Sequence, residues 1–377
     1  MSIKIVATGD LHFGNPKISS EKLYVTLTEF FYKEAQTSDL ILLTGDLFDQ
    51  IATVNSNANK YVSLFIRELF LFSARLGIPV RILHGTYSHD RNQLSVLEVL
   101  KLENTNAKII NEISCEEIQL KDKKFRILYI PDNLPYKKSS DVMTHIKKVM
   151  SVHGWKTVDI VLGHGTFDHA LPVGPEHAPP CTYTRDQFND ILERNGIIIM
   201  GHIHIPSAKN GVYYCGSFER MSHGEEQPKG FCSFEYENEQ WKHKFIENPS
   251  ATLFVSIYPE GYSTDEIIVD FDKQIDNIFP EHKGYVRVLH NDPEVRALLS
   301  KVCNSKYPLL TYSSKARNDS DKPEIQITDI DLSTFEDIKP SRENLAELIT
   351  QFLQDSDMLG DLDLNIVNKY LDNVIEV

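Results

Sequence analysis

The chain has 377 residues, beyond the about 250–300 at which one hydrophobic core stops growing, so more than one folded unit is expected. With 41% hydrophobic and 25% charged side chains it reads as an ordinary globular protein, and no apolar run approaches the roughly 18 residues of a membrane span. The net charge of −15 argues at first against a polyanionic partner, but residues 318–377 hold 15 acidic and 4 basic side chains, leaving 35 basic against 39 acidic on residues 1–317. The first region thus permits a phosphate-rich substrate without requiring one.

The opening residues pass directly into a strand pattern with no room for a signal peptide, so a cytoplasmic location is expected. The cysteines, Cys115, Cys181, Cys215, Cys232 and Cys303, are odd in number and never in a C-x-x-C pair. Neither a disulfide framework nor a thiolate zinc site is indicated.

In chain order, the strand-like run Ile3–Ala7 leads to Asp10-Leu-His12, and helical periodicity covers Ser20–Gln36. Leu40–Leu43 leads to Gly45-Asp46-Leu-Phe-Asp49, and a helix is expected over Asn57–Leu76. That helix is apolar around more of its circumference than one core-facing stripe needs, so it is either deeply buried or a homodimer surface. Val80–Leu83 precedes His89-Asp90; Phe125–Ile130 and a helix over Ser139–Ser151 follow. Ile160–Leu162 ends at Gly163-His164, a helix is expected over Arg185–Asn195, and Ile197–Met200 ends at Gly201-His202-Ile-His204. Strands alternating with helices predict an α/β fold with its site at the carboxyl ends of the strands.

A second block begins near Asn248-Pro249. Strand-like Leu253–Tyr258, Tyr285–Leu289 and Leu309–Ser313 alternate with helical Asp265–Ile278 and Pro293–Val302, which predicts a small α+β unit over 249–317 after a main domain over 1–248. Residues 318–340 read as an acidic linker, and residues 341–377 as a helix-loop-helix segment with narrow apolar stripes.

Taken singly, the polar motifs are weak. Asp10-x-His12 recurs by chance in many chains, and Asp46 alone is an ordinary turn or helix-cap aspartate. His164 alone is an ordinary loop histidine, whereas His202-Ile-His204 is stronger, because two imidazoles after a buried strand are costly unless ligated or hydrogen-bonded. The joint order of all of them is the specific signal. Carboxylate oxygens and imidazole nitrogens suit manganese, iron or zinc, and a pair of such ions can hold a bridging hydroxide for attack on a phosphodiester. His153, His169, His177, His223, His243, His282 and His290 lack the strand-end context, although His169 and His177 share the loop after His164.

These motifs resemble the calcineurin-like metallophosphoesterase superfamily, whose pattern is D-x-H, G-D, G-N-H-D, G-H and G-H-x-H. More narrowly, Gly45-Asp-Leu-Phe-Asp49, Tyr214-Cys-Gly-Ser217 with Arg220, and Lys229-Gly230 before a strand are similar to SbcD-type nuclease subunits. The resemblance implies a four-layer αββα sandwich with a small capping domain and a C-terminal helical pair. It implies one ion held by Asp10, His12, Asp46 and His204, and another held by Asp46, the residue before His89, His164 and His202. In this chain that preceding residue is Ser88, where the family has Asn, and the loop after Gly85 is two residues longer. A hydroxyl is a weaker ligand than an amide carbonyl, so a looser second ion is expected, with Ser88 acting directly or through water and Asn92 as a substitute. His89 is left to protonate the leaving oxygen, with Asp90 as its orienting neighbour.

The function so implied is a manganese-dependent DNA nuclease, exonuclease on duplex ends and endonuclease on single strands. Its expected partner is an SbcC-like SMC-type coiled-coil ATPase docked through residues 341–377, in a homodimeric assembly with no membrane contact. Two other readings compete. A phosphatase or cyclic-nucleotide phosphodiesterase of the same superfamily would need no appended unit or tail, and a non-catalytic DNA-end scaffold would not need the complete Asp/His set.

Overall fold

The computed structural model describes residues 2–170 and 181–317. In chain order it forms β1 (Ile3–Thr8), α1 (Ser20–Thr26), α2 (Tyr32–Ala35), β2 (Leu40–Leu43), α3 (Asn57–Leu76), β3 (Val80–Leu83) and α4 (Tyr87–Asp90). There follow β4 (Ala107–Ile110), β5 (Ser114–Leu120), β6 (Lys123–Ile130), α5 (Ser139–Val152), β7 (Val158–His164), β8 (Leu192–Gly201), β9 (Ser207–Lys209) and β10 (Val212–Tyr214). The described chain ends with β11 (Gly230–Glu237), β12 (Gln240–Glu247), β13 (Phe254–Ile257), α6 (Thr264–Ile278), β14 (Gly284–Leu289), α7 (Pro293–Lys306) and β15 (Leu310–Lys315).

Two six-stranded sheets form the main body, in the orders β12-β11-β1-β2-β3-β4 and β5-β6-β7-β8-β10-β9. The two-residue period of a strand sends alternate side chains to opposite faces. Ile3, Ile5, Ala7, Leu40 and Leu42 of the first sheet meet Phe125, Ile127, Tyr129, Ile160 and Leu162 of the second in the inter-sheet core. Val6, Ile41, Leu43, Val80 and Ile82 pack outward against α1 and α3. Leu128, Ile130, Val161 and Ile198 pack outward against Val142, Met143, Ile146 and Met150 of α5. The layers are therefore helix, sheet, sheet and helix, the expected mixed α/β sandwich. Both sheet faces are covered, which is why β2 and β3 are buried at every position and read as continuous apolar runs.

The helix α3 has the bounds its sequence predicts. Ser56 caps its first turn by accepting the Asn59 N–H, and Gly77 ends it in the left-handed conformation at φ 72°. Tyr61, Val62, Phe65, Ile66, Leu69 and Phe70 are buried in the outer core, Leu64 and Phe72 are half-buried, and Leu76 is exposed. The stretch Ser20–Gln36 is not one uniform helix: a π-turn over Leu27–Phe31 separates α1 from α2. Thr26 and Thr28 donate their hydroxyls back to carbonyls three and four residues earlier, a competition that loosens the helical ladder at this point. The predicted helix over Arg185–Asn195 is reduced to a 3-10 turn, Arg185–Phe188, closed by a Thr184–Gln187 capping box. Leu192 already pairs with Val158 in β8, so sheet pairing overrides the local helical period.

Residues 254–315 form a three-stranded parallel sheet, β13-β14-β15, with α6 and α7. This unit has its own core around Phe271, Ile275, Val286, Val288 and Leu299, but Phe254 also enters the outer core of the main body. The Tyr285 hydroxyl donates to the Lys17 carbonyl at 2.7 Å. The linker and helical pair expected over 318–377, and His177, lie outside the described residues. Among the described residues no helix is long and apolar enough to cross a membrane.

Phe65 is fully buried, stacks on Tyr32 at 5.7 Å between centroids and meets Phe13, the residue after His12. Phe65→Ala is expected to lower the unfolding free energy by about 3–5 kcal/mol. Leu76→Ala at the exposed end of the same helix should stay within about 0.5 kcal/mol. Denaturant melts of the two variants check both.

Candidate metal centre

The predicted Asp and His residues, unlike Ser88 and Asn92, arrive at one place, the carboxyl ends of β1, β2, β3, β7 and β8. Three overlapping groups have donor atoms within 4.8 Å of one another: Asp10, His12 and His204; His12, Asp46 and His89; Asp46, His164 and His202. Asp46 and His12 each belong to two groups, which makes them the links of the chain. Asp10, Asp46 and His164 are buried to 1% exposure or less.

The backbone is bent to bring them there. Asp10, His12, Asp46 and His202 all have positive φ, at 48°, 49°, 52° and 91°, a conformation that side-chain-bearing residues rarely adopt and that concentrates at functional sites. Gly85 has no alternative, since a Cβ there would lie 2.1 Å from Asp46 Oδ1. Asp90 binds the two loops together. Its buried carboxylate accepts the N–H groups of Asp46 at 3.0 Å, Leu47 at 3.0 Å, Phe48 at 3.2 Å and Gly85 at 2.9 Å. The carboxylate of Asp90 therefore holds backbone rather than the His89 ring, whose Nδ1 instead donates to the Asp49 carbonyl.

The histidines are oriented one by one. His164 Nδ1 donates to the Thr44 carbonyl at 2.7 Å, which can only accept. Its Nε2 then faces Asp46 Oδ2 at 3.2 Å. His12 Nδ1 lies 3.6 Å from Asp49 Oδ1 and His204 Nδ1 lies 3.5 Å from Glu225 Oε1. The Nε2 atoms of His12 and His204 meet at 3.1 Å. The His202 N–H donates to both oxygens of Asp10 at 2.9 and 3.1 Å. Buried lone pairs at these separations repel unless protons or cations stand between them, and a metal-binding imidazole ordinarily commits its second nitrogen to an acceptor in this way. The donor set fits a pair of divalent cations.

Electrostatics point the same way. Burial raises the Asp46 carboxyl, yet His164, His12 and His89 hold it well below the usual carboxylate range. Burial pushes Asp10 up, with the Asp46 charge adding to it. Burial lowers the His164 imidazole, but Asp46 and Asp10 outweigh it and hold it well above the ordinary value. The site is thus set to retain positive charge.

Ser88 departs from expectation. It is exposed in α4, and Asn92 is exposed beyond it. The two extra residues, Tyr87 and Ser88, are absorbed in the helical turn, so the residue directly after Gly85 faces the cluster instead. Thr86 Oγ1 stands 3.2 Å from Asp46 Oδ2, 3.2 Å from His164 Nε2 and 3.4 Å from His202 Nδ1, and its N–H donates to Asp46 Oδ1 at 2.6 Å. Thr86 is the first residue after Gly85, whereas Ser88 is the residue before His89. Sequence reading also passed over Glu225, and His84, whose two ring nitrogens lie against the carbonyls of Gly85 and Arg91.

The calcineurin-like phosphoesterase family matches residues 3–206, more than half of the chain. The chain belongs to that family. Calcineurin-like phosphoesterases are metal-dependent phosphoester hydrolases, and this centre has the donors such chemistry needs. Among solved structures, TT1561 of Thermus thermophilus is similar at 11% identity over 65% of this chain and 99% of its own, with a TM-score of 0.37. A second crystal structure is similar at 14% identity over 65% of this chain and all of its own, with a TM-score of 0.36. No curated protein matches the chain.

Thr86→Ala is expected to weaken uptake of one divalent ion by about 10-fold or more, whereas Ser88→Ala should leave both uptake steps as they are. Calorimetric titration of manganese into the metal-free proteins distinguishes them, and the opposite ranking would return the ligand position to Ser88.

Proposed function

We propose that the chain is a manganese-dependent DNA nuclease, the SbcD-like subunit of a complex with a coiled-coil ATPase. The observation that carries this reading is the placement of the α+β unit. It sits on the loop that leaves His12: Tyr285 holds the Lys17 carbonyl, and the Lys17 ammonium lies 6.0 Å from the centre of the Phe254 ring. A substrate reaching the centre from this side meets the second unit as well, which favours a long polymer over a small phosphomonoester.

When bound, a pair of divalent ions supplies positive charge to the phosphoryl oxygens and acidifies water. The chain's own residues do the rest. Asp46 and His12 link the donor groups, Asp10 fixes the His202 main chain, and Thr86 closes the far side. His89 is oriented through Nδ1 by the Asp49 carbonyl, which leaves Nε2 as the nitrogen that carries a proton to the departing oxygen. Manganese as the physiological ion, docking of an ATPase through residues 341–377, a homodimer and a cytoplasmic setting belong to the same proposal and rest on the resemblance.

Purified protein with manganese and end-labelled duplex, with and without a copurifying ATPase, tests the proposal. Shortening of the duplex supports it; hydrolysis of p-nitrophenyl phosphate or a cyclic nucleotide with intact DNA points to the phosphatase reading, and no hydrolysis to the scaffold. His89→Ala is expected to retain two ions while losing turnover by about 10²–10⁴-fold. Loss of an ion would make His89 a ligand instead.

A further inference from the structure

Lys229 is fully buried immediately before β11, an expensive position for a charge. Its ammonium has three donors and three partners: the His204 carbonyl at 2.9 Å, the Ser217 hydroxyl at 2.9 Å and Glu225 Oε2 at 2.7 Å. The other oxygen of Glu225 takes the Ser222 hydroxyl at 3.1 Å and faces His204 Nδ1 at 3.5 Å. Ser217 in turn bridges to Gly9, immediately before Asp10, and its N–H donates to the His204 carbonyl at 3.2 Å. One ion pair thus faces the ring of His204, holds its main chain, and reaches Gly9, the neighbour of Asp10, through Ser217. The described bonds of Glu225 and Lys229 all fall on this side of the centre, away from Asp46, His164 and His202.

We propose that Glu225 and Lys229 are a positioning pair dedicated to one ion of the centre, the one served by Asp10, His12 and His204. An apolar pair of similar volume is often as stable as a buried ion pair, so stability alone does not account for two buried charges. What the charges add is direction. Glu225 Oε1 stands beside Nδ1 of His204 on the side away from the centre, while Nε2 faces His12, so the carboxyl biases the His204 proton to Nδ1 and leaves Nε2 toward the centre. Lys229 holds the other oxygen of Glu225, which fixes the carboxyl in place, and at the same time ties down the His204 main chain. The assignment rests on the metal-centre reading above and goes beyond it in making the two ion positions separately adjustable.

The test is calorimetric titration of manganese into the full chain, metal-free, as wild type, Glu225→Gln, and Glu225→Gln with Lys229→Met, the last removing both charges together. The expected result is two ions in the wild type and, in both variants, one ion bound as before and the other about 10–100-fold weaker, with the unfolding temperature of the metal-free double variant unchanged. Both ions bound at wild-type affinity, or both weakened equally, overturns the proposal. Should the variants fail to fold, ring ¹⁵N shifts of the zinc-loaded wild type decide: a proton on His204 Nδ1 supports the assignment and one on Nε2 overturns it. A wild type that binds no divalent ion overturns the metal-centre reading itself, a result distinct from either.

Discussion

Four buried or half-buried imidazoles point one nitrogen each at an acceptor outside the centre, two of them in a hydrogen bond to a main-chain carbonyl, and so turn the other toward Asp10 and Asp46. His164 donates to the Thr44 carbonyl and His89 to the Asp49 carbonyl, while His12 Nδ1 stands 3.6 Å from the Asp49 carboxylate and His204 Nδ1 3.5 Å from Glu225. The inward-facing nitrogens of His12, His164 and His204 then crowd against one another and the carboxylates of Asp10 and Asp46, so the set is balanced only with protons or cations among them. Such a set is unfavourable by itself, because unpaired buried acceptors cost about 1–3 kcal/mol each, and it becomes favourable when positive charge enters. The orientation of the rings calls for positive charge, as protons or as cations, before any family is considered.

The scaffold serves that orientation. Parallel strands β1, β2 and β3 lie side by side in register, so their carboxyl ends deliver Asp10, Asp46 and Thr86 to neighbouring positions. In the second sheet β7 and β8 pair His164 with Gly201, one residue before His202. Asp90 then replaces a sheet ladder where none is possible, accepting four backbone N–H groups from the two loops that carry Asp46 and Thr86. Strained φ values at Asp10, His12, Asp46 and His202 are sustained by this cross-bracing.

The parts of the fold that the sequence displays are those with one dominant physical signal. β2, β3 and α3 have the bounds their apolar runs and caps predict, because burial on both sheet faces and a Ser56 and Gly77 pair leave little ambiguity. Ser114–Leu120 carries no clean alternation and so gives no strand signal, whereas Gln240–Glu247 alternates half-buried and exposed positions but interleaves lysines that mask it. Arg185–Asn195 misled because a helical period of three residues is indistinguishable there from a turn entering a strand. In the centre, Asp and His at strand ends were legible together, whereas Thr86 was hidden by an insertion whose folding into α4 only the structure resolves. Glu225 and Lys229 lie in a loop and immediately before a strand, and nothing in their local pattern connects them to His204.

The most direct test of the account is the anomalous-scattering map of a crystal of this chain soaked in manganese. Two peaks about 3.5–4 Å apart, one beside Asp10, His12 and His204 and the other beside His164, His202 and Thr86, with Asp46 between them, are the predicted result. A map with no peak inside this ring of donors, in a crystal where the same imidazoles keep their orientation, would contradict it.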